Sequence, residues 1–314
     1  MKYYVPDYYK DFACIAGACR HSCCKGWEID VDDNAMQRWA SLPEPWHGRI
    51  AGNIAVDEAG AHFVLTEDER CPFLKSDGLC ELILNLGEDS LCQICADHPR
   101  FRSFLSDRTE TGLGLCCEAA GRLILGRQEK ATLVLTGDDG KEDLLSADDA
   151  QILSLREEVL SVAQDRTLPV RQRAGKIAAL CGTTRNRSGK EIAGMLLELE
   201  IMDEEWQELL KCLAAEEDEL LPVWQPELET VFEQLLVYFL FRHIPEACDV
   251  KEALEYAGFC IFSYDVICAL SVLRQREAGV LTFEELVNIC RLYSSEIEYS
   301  DENTGLIIER LQQM

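Results

Sequence analysis

The chain has 314 residues, 47% of them apolar, and a formal net charge of −27 at pH 7. Its length and apolar content suit one large globular unit or two ordinary ones. The charge, most of it after residue 130, repels phosphate backbones and excludes nucleic acid as a partner. No unbroken apolar run approaches the roughly 18 residues of a membrane helix. The opening Met1-Lys2-Tyr3-Tyr4-Val5-Pro6-Asp7 has no apolar signal core. A soluble, cytoplasmic protein without a membrane role is therefore expected, and oligomeric state is not written in the sequence.

Residues 1–130 are cysteine-rich and short in helical periodicity, and they form the first expected domain. Within it, 28–32 and 61–65 read as strands, 33–40 and 81–86 as short helices, and 116–130 as a helix leading out. Residues 131–145, with Thr136-Gly137-Asp138-Asp139-Gly140, read as an acidic linker. From 146 to 314 the pattern is helical. Ser146 caps a helix with Ile152, Leu155, Val159 and Val162 on one face, and Pro169 opens the next, which stops at Gly182. Ser188 caps 191–200, and another helix covers 204–215. Pro226 precedes an apolar helix that runs to Phe241 and is stopped by Pro245. Asp249 caps a long helix to residue 277, and Thr282 caps 283–292. The expected fold class is mainly α: a small, irregular, cysteine-rich metal-binding head with short strands, followed by an all-helical body.

Ten of the sixteen cysteines fall before residue 118. Cys14, Cys19, Cys23 and Cys24 form C-x4-C-x3-C-C, Cys71 and Cys80 bracket a Gly78 turn, Cys92 and Cys95 form C-x2-C, and Cys116-Cys117 are adjacent. Thiolates separated by two or three residues can wrap one metal, because the intervening turn points both sulfurs inward. A reducing compartment disfavours a disulfide framework. Adjacent cysteines also bridge each other only with strain. Ten thiols with few histidines nearby suit a soft iron–sulfur centre, with zinc as the alternative metal. His21 and His98 read as loop histidines rather than ligands. Arg100 and Arg102 either offset thiolate charge, grip an anionic group of a cofactor, or face solvent. Cys181, Cys212, Cys248, Cys260, Cys268 and Cys290 stand singly on helical segments and read as small core residues. Gly112-x-Gly114 lacks the strand–turn–helix setting of a dinucleotide fingerprint.

Several motifs together resemble a family. They are Tyr8-Tyr9-x2-Phe12-x-Cys14-Ile15-x3-Cys19-x3-Cys23-Cys24-x-Gly26-Trp27, then Cys71-Pro72-Phe73-Leu74-x3-Gly78-Leu79-Cys80, then Leu91-Cys92-x2-Cys95-x2-His98-Pro99-Arg100. They continue with Leu115-Cys116-Cys117-Glu118-Ala119-Ala120, Tyr238-Phe239-Leu240-Phe241-Arg242-His243 and Glu296-Ile297-Glu298-Tyr299-Ser300-x2-Asn303. This set is similar to the flagellin lysine-N-methylase family, which is related to small cysteine-rich zinc- or iron-chelating proteins. That family usually has tyrosine at the place of His98, and its cysteine–proline step aligns Cys117 with the family cysteine. The resemblance implies methyl transfer from S-adenosylmethionine to lysine side chains of flagellin, with a [4Fe-4S] cluster. It puts the metal on Cys14, Cys19, Cys23, Cys24, Cys71, Cys80, Cys92, Cys95 and Cys117. The cysteine-rich head is then the expected meeting place of cofactor and cluster. No catalytic base is identifiable. A zinc- or iron-chelating protein without methyltransferase activity, or an adaptor whose acidic body binds a basic partner, are the competing expectations.

Overall fold

A computed structural model describes residues 1–58, 60–185, 187–216 and 225–313. The chain divides into two compact units, one of residues 13–100 and one of residues 1–12 with 101–314. The expected boundary at 130 is thus replaced by a division in which both flanks of the cysteine-rich segment join the helical part. Strand pairing is the cause. Strand β1 (Lys2–Pro6) pairs with strands that lie more than a hundred residues further on.

The 13–100 unit holds α1 (Asp33–Ala40), α2 (Trp46–Ala51), the hairpin β2 (Ile54–Val56) and β3 (Ala61–Phe63), α3 (Glu81–Leu86) and α4 (Gln93–Asp97). Asp32 caps α1 by accepting from the Ala35 N–H at 2.9 Å, and its second oxygen accepts from the Gln93 N–H at 2.7 Å. One carboxylate therefore ties the starts of α1 and α4 together. Trp39 stacks on Phe63, which meets Phe73 edge-on, and these rings with Ile29, Ile50 and Leu82 form a small core. Helices 33–40 and 81–86 lie where the sequence placed them. The strand expected over 28–32 is reduced to a single bridge between Asp30 and His62, because the chain turns into α1 at its capping residue Asp32.

In the other unit, β4 (Arg100–Leu105) and β5 (Arg108–Leu113) join β1 in a four-stranded sheet. Next come α5 (Glu118–Leu125) and β6 (Leu133–Asp138), which completes the order β4-β5-β1-β6. Strand β1 runs parallel to β5 and antiparallel to β6. The acidic stretch expected to be a linker over 131–145 therefore contains an edge strand. The helices are α6 (Ala147–Ala163), α7 (Val170–Cys181), α8 (Gly189–Leu196) and α9 (Glu204–Ala215), then α10 (Glu229–His243), α11 (Val250–Ala278), α12 (Phe283–Tyr293) and α13 (Asp301–Gln312). The side chains of Ser146, Ser188, Asp203, Asp249 and Thr282 cap their helices, and Gly182 and Gly279 end theirs in left-handed conformation.

Helix α11 is long and apolar enough, by length and composition, to cross a membrane, although its apolar residues do not form one unbroken run. In this fold 83% of its apolar window is buried inside the protein, as in a central core helix. Cys260 and Cys290 are core residues as expected, and Cys181 and Cys268 are half-buried. Cys212 and Cys248 are exposed, contrary to expectation: Cys212 is on the outer face of α9, and Cys248 is in the loop before α11.

Candidate functional site

Two groups of chemistry-bearing side chains stand out, one in each unit. In the 13–100 unit the backbone collects thiols. The Cys71 N–H donates to the Cys24 carbonyl at 2.8 Å, and the Gly26 N–H donates to Glu69, so the Cys23-Cys24 step lies along residues 69–71. Gly26 and Gly78 take positive φ (84° and 77°), a conformation that side chains disfavour. A Cβ on Gly17 would stand 2.6 Å from the Asp77 carbonyl oxygen, and one on Gly78 would stand 3.1 Å from the Gly17 Cα. The Cys14–Cys19 loop and the Cys71–Cys80 loop thus pack glycine to glycine. The Ala16 N–H also points at Cys14 Sγ, 3.4 Å away.

Five thiols in this unit act on one another. The charges of Cys24, Cys80 and Cys92 bear on Cys71, those of Cys24 and Cys92 on Cys80, and those of Cys24 and Cys71 on Cys95. A hydrogen bond from Cys23 holds the Cys24 thiol down to about 7 against burial, with Ser22 and Arg70 helping. Cys92 is lowered by its hydrogen bond with Cys95, whose own thiol is raised by the same contact and by burial. Burial pushes Cys71 up to about 12 and also raises Cys80. Backbone N–H groups face three of the sulfurs: that of Phe73 faces Cys71, those of Leu82 and Ile83 face Cys80, and that of Cys95 faces Cys92. Such donors favour thiolate, the form that binds metal. Among the described residues, no three His, Cys, Asp or Glu side chains stand in the arrangement of a single-ion site.

Of the nine cysteines expected to hold metal, Cys24, Cys71, Cys80, Cys92 and Cys95 come together, with Cys23 hydrogen-bonded to Cys24. Cys14 and Cys19 lie on the glycine-packed loop. Cys117 belongs to the other unit, where it precedes α5. His98 is held neutral, pushed down to about 4 by burial and by Arg100.

The second group is a buried polar network on α10 and a π-helical turn, Ser294–Glu298. Glu298 Oε1 is 2.7 Å from His243 Nε2, and the Tyr238 hydroxyl donates to Glu298 Oε2 at 3.0 Å. Arg242 donates to the Tyr238 oxygen at 2.8 Å and to the Glu298 carbonyl at 2.9 Å, and the Leu115 N–H also donates to Tyr238. Burial opposes charge on Glu298, but Arg242 and His243 overcome it and hold the carboxyl below its usual range. Burial lowers His243, so its imidazole is neutral. The Arg242 guanidinium lies 4.8 Å from the Phe101 ring centre and 4.7 Å from that of Tyr299. Tyr299 in turn hydrogen-bonds Cys116, whose thiol burial pushes up to about 12. The two glycines of Gly112-x-Gly114 are explained here, because a Cβ on Gly112 would strike the Phe101 ring and one on Gly114 the Tyr299 hydroxyl.

Other residues of the same motif serve the backbone. Glu296 accepts from the Met202 and Asp203 N–H groups at the start of α9, and Asn303 bonds the Glu200 and Glu296 backbones. Beside the network, a cavity of about 560 Å3 opens between the end of β1, residues 130–133, α6 and α10. Tyr238 and Phe241 form part of its wall. Sequence reasoning missed this cavity, because its walls come from segments that only the sheet brings together.

Residues 190–314 match the family model described as the FliB lysine N-methylase C-terminal domain. Over these residues, about two fifths of the chain, the protein is similar to the lysine-N-methylase family, and the cysteine motifs before residue 118 lie outside the match. The chain is 27% identical over 126 residues to the protein named Lysine-N-methylase of Salmonella typhimurium, covering 38% of this chain and 31% of that one. The match to the protein of the same name from Salmonella choleraesuis has the same extent. The protein named flagellar biosynthetic protein FliU of Salmonella muenchen is 26% identical over 126 residues, 75% of its length. The match therefore spans about a third of the two lysine-N-methylase relatives. No solved structure matches. The network of Tyr238, Arg242, His243 and Glu298 lies inside the segment shared with this methylase family, and the five grouped thiols lie before it.

Proposed function

We propose that this protein is a lysine N-methyltransferase that moves a methyl group from S-adenosylmethionine to lysine side chains of flagellin, with a [4Fe-4S] cluster as its metal centre. The observation that carries the reading is the FliB-type match over 190–314, which contains the buried Glu298 network. The names of the relatives point to lysine methylation and to the flagellum. The net charge of −27 favours a lysine-bearing protein partner over nucleic acid. A cytoplasmic location, where thiols stay reduced and available to a metal, belongs to the same reading.

The donor set fits the cluster. Iron–sulfur clusters are held by four thiolates, and Cys24, Cys71, Cys80, Cys92 and Cys95 supply five thiols that influence one another, with backbone N–H groups on three of them. Cys14, Cys19 and Cys23 of the same unit complete the pool from which four would be drawn, whereas Cys117, also in the expected set, belongs to the other unit. Bound S-adenosylmethionine would supply an electrophilic methyl carbon. The chain's task is to present a lysine stripped of its ammonium proton, so that the nitrogen lone pair can form the new bond to carbon while the carbon–sulfur bond breaks. Desolvation of the ammonium lowers its pKa, and the second proton leaves the methylated amine to solvent.

Anaerobic purification, followed by iron and sulfide analysis and by incubation with methyl-labelled S-adenosylmethionine and flagellin, tests the reading. Label on flagellin lysines, together with a brown protein containing iron and sulfide, supports it. A colourless protein that carries zinc and labels no lysine would replace it with the chelating alternative.

A further inference from the structure

We infer that the 560 Å3 cavity between β1, α6 and α10 is the binding site for an adenosyl amino acid, the class to which S-adenosylmethionine belongs. The identity of the ligand rests on the methyltransferase reading; the place rests on the cavity. Its volume lies within the range of about 300–1,000 Å3 found for small-molecule sites. The lining is divided in the way such a ligand is divided. Tyr8, Ile124, Leu153, Leu160, Val237 and Phe241 make an apolar, partly aromatic wall suited to a purine ring.

Two glutamines contribute acceptors. The Gln164 side-chain N–H2 donates to the Ala131 carbonyl at 2.9 Å, and that of Gln234 donates to the Glu129 carbonyl at 2.8 Å. Each amide is thereby oriented, and its side-chain oxygen is left to accept from a donor such as an exocyclic amine of the base. Arg156 and Arg108 also line the cavity, but each is already committed to a carboxylate: Arg156 to Glu110, at 2.5 and 2.9 Å, and Arg108 to Asp107. Two charges at the exposed edge have no ion-pair partner among the described residues, Lys130 and Glu157. A ligand carboxylate answers Lys130, and a ribose diol or an α-ammonium answers Glu157.

The wall is rigid where it matters. The Tyr238 hydroxyl is fixed by three hydrogen bonds, with Arg242, Glu298 and the Leu115 N–H, while the Arg156 guanidinium covers the Phe241 ring at 5.6 Å. This assignment puts the nucleoside site in the unit that carries the helices, not in the cysteine-rich segment where the sequence alone suggested it.

The test is calorimetric titration of the full chain with S-adenosylhomocysteine, which binds as the donor would but carries no methyl group to transfer. Ser161 lines the cavity from the exposed side of α6, so Ser161→Trp fills the space without disturbing the core. It should abolish binding while leaving the circular dichroism and the urea midpoint as in the wild type. Lys130→Glu should weaken binding about tenfold or more, the loss expected for one charge-assisted contact. Wild-type protein that does not bind, or binding that neither variant weakens, overturns the inference. Binding that Ser161→Trp abolishes, in a protein that labels no lysine, would leave the inference standing and sink the methyltransferase reading. Methyl transfer that persists in Ser161→Trp would do the reverse.

Discussion

His243 Nε2 lies 2.7 Å from Glu298 Oε1 in a part of the protein where both side chains are buried, although 55 residues separate them in the chain. The same carboxylate also accepts from Tyr238, and Arg242 stands 3.5 Å from it. This one anion therefore holds three side chains of α10 against the turn that precedes α13. Replacing it by an amide keeps the shape and removes the charge, which leaves the Arg242 guanidinium buried without a counter-ion. Glu298→Gln should destabilise the unit of residues 1–12 and 101–314 by about 3 kcal/mol or more, measured by urea unfolding. Tyr238→Phe should cost about 1–3 kcal/mol, because the Leu115 N–H and the carboxylate each lose a partner.

Acid should weaken the same network. Burial sets the pKa of His243 in the folded protein below the ordinary 6.5. As pH falls below about 6.5, the unfolded chain takes up the proton first, and stability declines with a slope of at most about 1.4 kcal/mol per pH unit from this residue. Glu298 adds a second loss at lower pH, because its folded carboxyl lies below the ordinary 4.5: its contribution is present above that value and disappears as pH falls through the folded pKa. His98 adds to the acid sensitivity of the 13–100 unit in the same direction. Urea midpoints at pH 7.5 and 5.5 should therefore differ, and His243→Gln should narrow that difference. An equal difference in wild type and variant would assign the acid loss elsewhere.

Two glycine substitutions should have opposite signs. A Cβ on Gly112 would lie 2.2–2.8 Å from three atoms of the Phe101 ring, which is packed against Tyr238, Phe241 and Arg242 and would have to shift off them. Gly112→Ala should cost about 1–3 kcal/mol. Gly194, on α8, has nothing within 4 Å of its would-be Cβ, so Gly194→Ala should gain roughly 0.5–1 kcal/mol through reduced freedom of the unfolded chain. Thermal unfolding of both variants beside the wild type decides the signs.

The cysteines divide into those that should matter to metal content and those that should not. Cys71→Ser and Cys92→Ser should each lower the iron bound per chain after anaerobic purification. Cys212→Ser and Cys248→Ser, on exposed positions, should leave it unchanged. Gly17→Ala should also lower iron content although it touches no sulfur, because its Cβ would push the Cys14–Cys19 loop off the Asp77 carbonyl. Iron retention unaffected by Cys71→Ser and Cys92→Ser would remove both from the ligand set.

The helices between 146 and 293 were legible in the sequence, because their signals are local: a capping oxygen within three residues of the N–H it accepts from, and glycines that can end a helix in left-handed conformation. The grouping of thiols was legible in part for the same reason, since C-x2-C and C-C steps hold sulfurs together over a single turn. The sheet was not legible. Strand β1 finds its partners at 108–110 and 133–138, and no local pattern marks an acidic, turn-rich stretch as the edge strand that completes the sheet. Nor could the exposure of Cys212 and Cys248 be read without knowing which helix face meets the core. By itself the sequence determined a cysteine-rich segment suited to a metal and a capped helical body, both consequences of short-range chemistry. The tertiary structure decided which thiols meet, that the glycines of Gly112-x-Gly114 make way for Phe101 and Tyr299, and that the Glu298 carboxylate is buried against His243 and Arg242. Those contacts join residues far apart in the chain, and only the free energy of packing the whole core selects them.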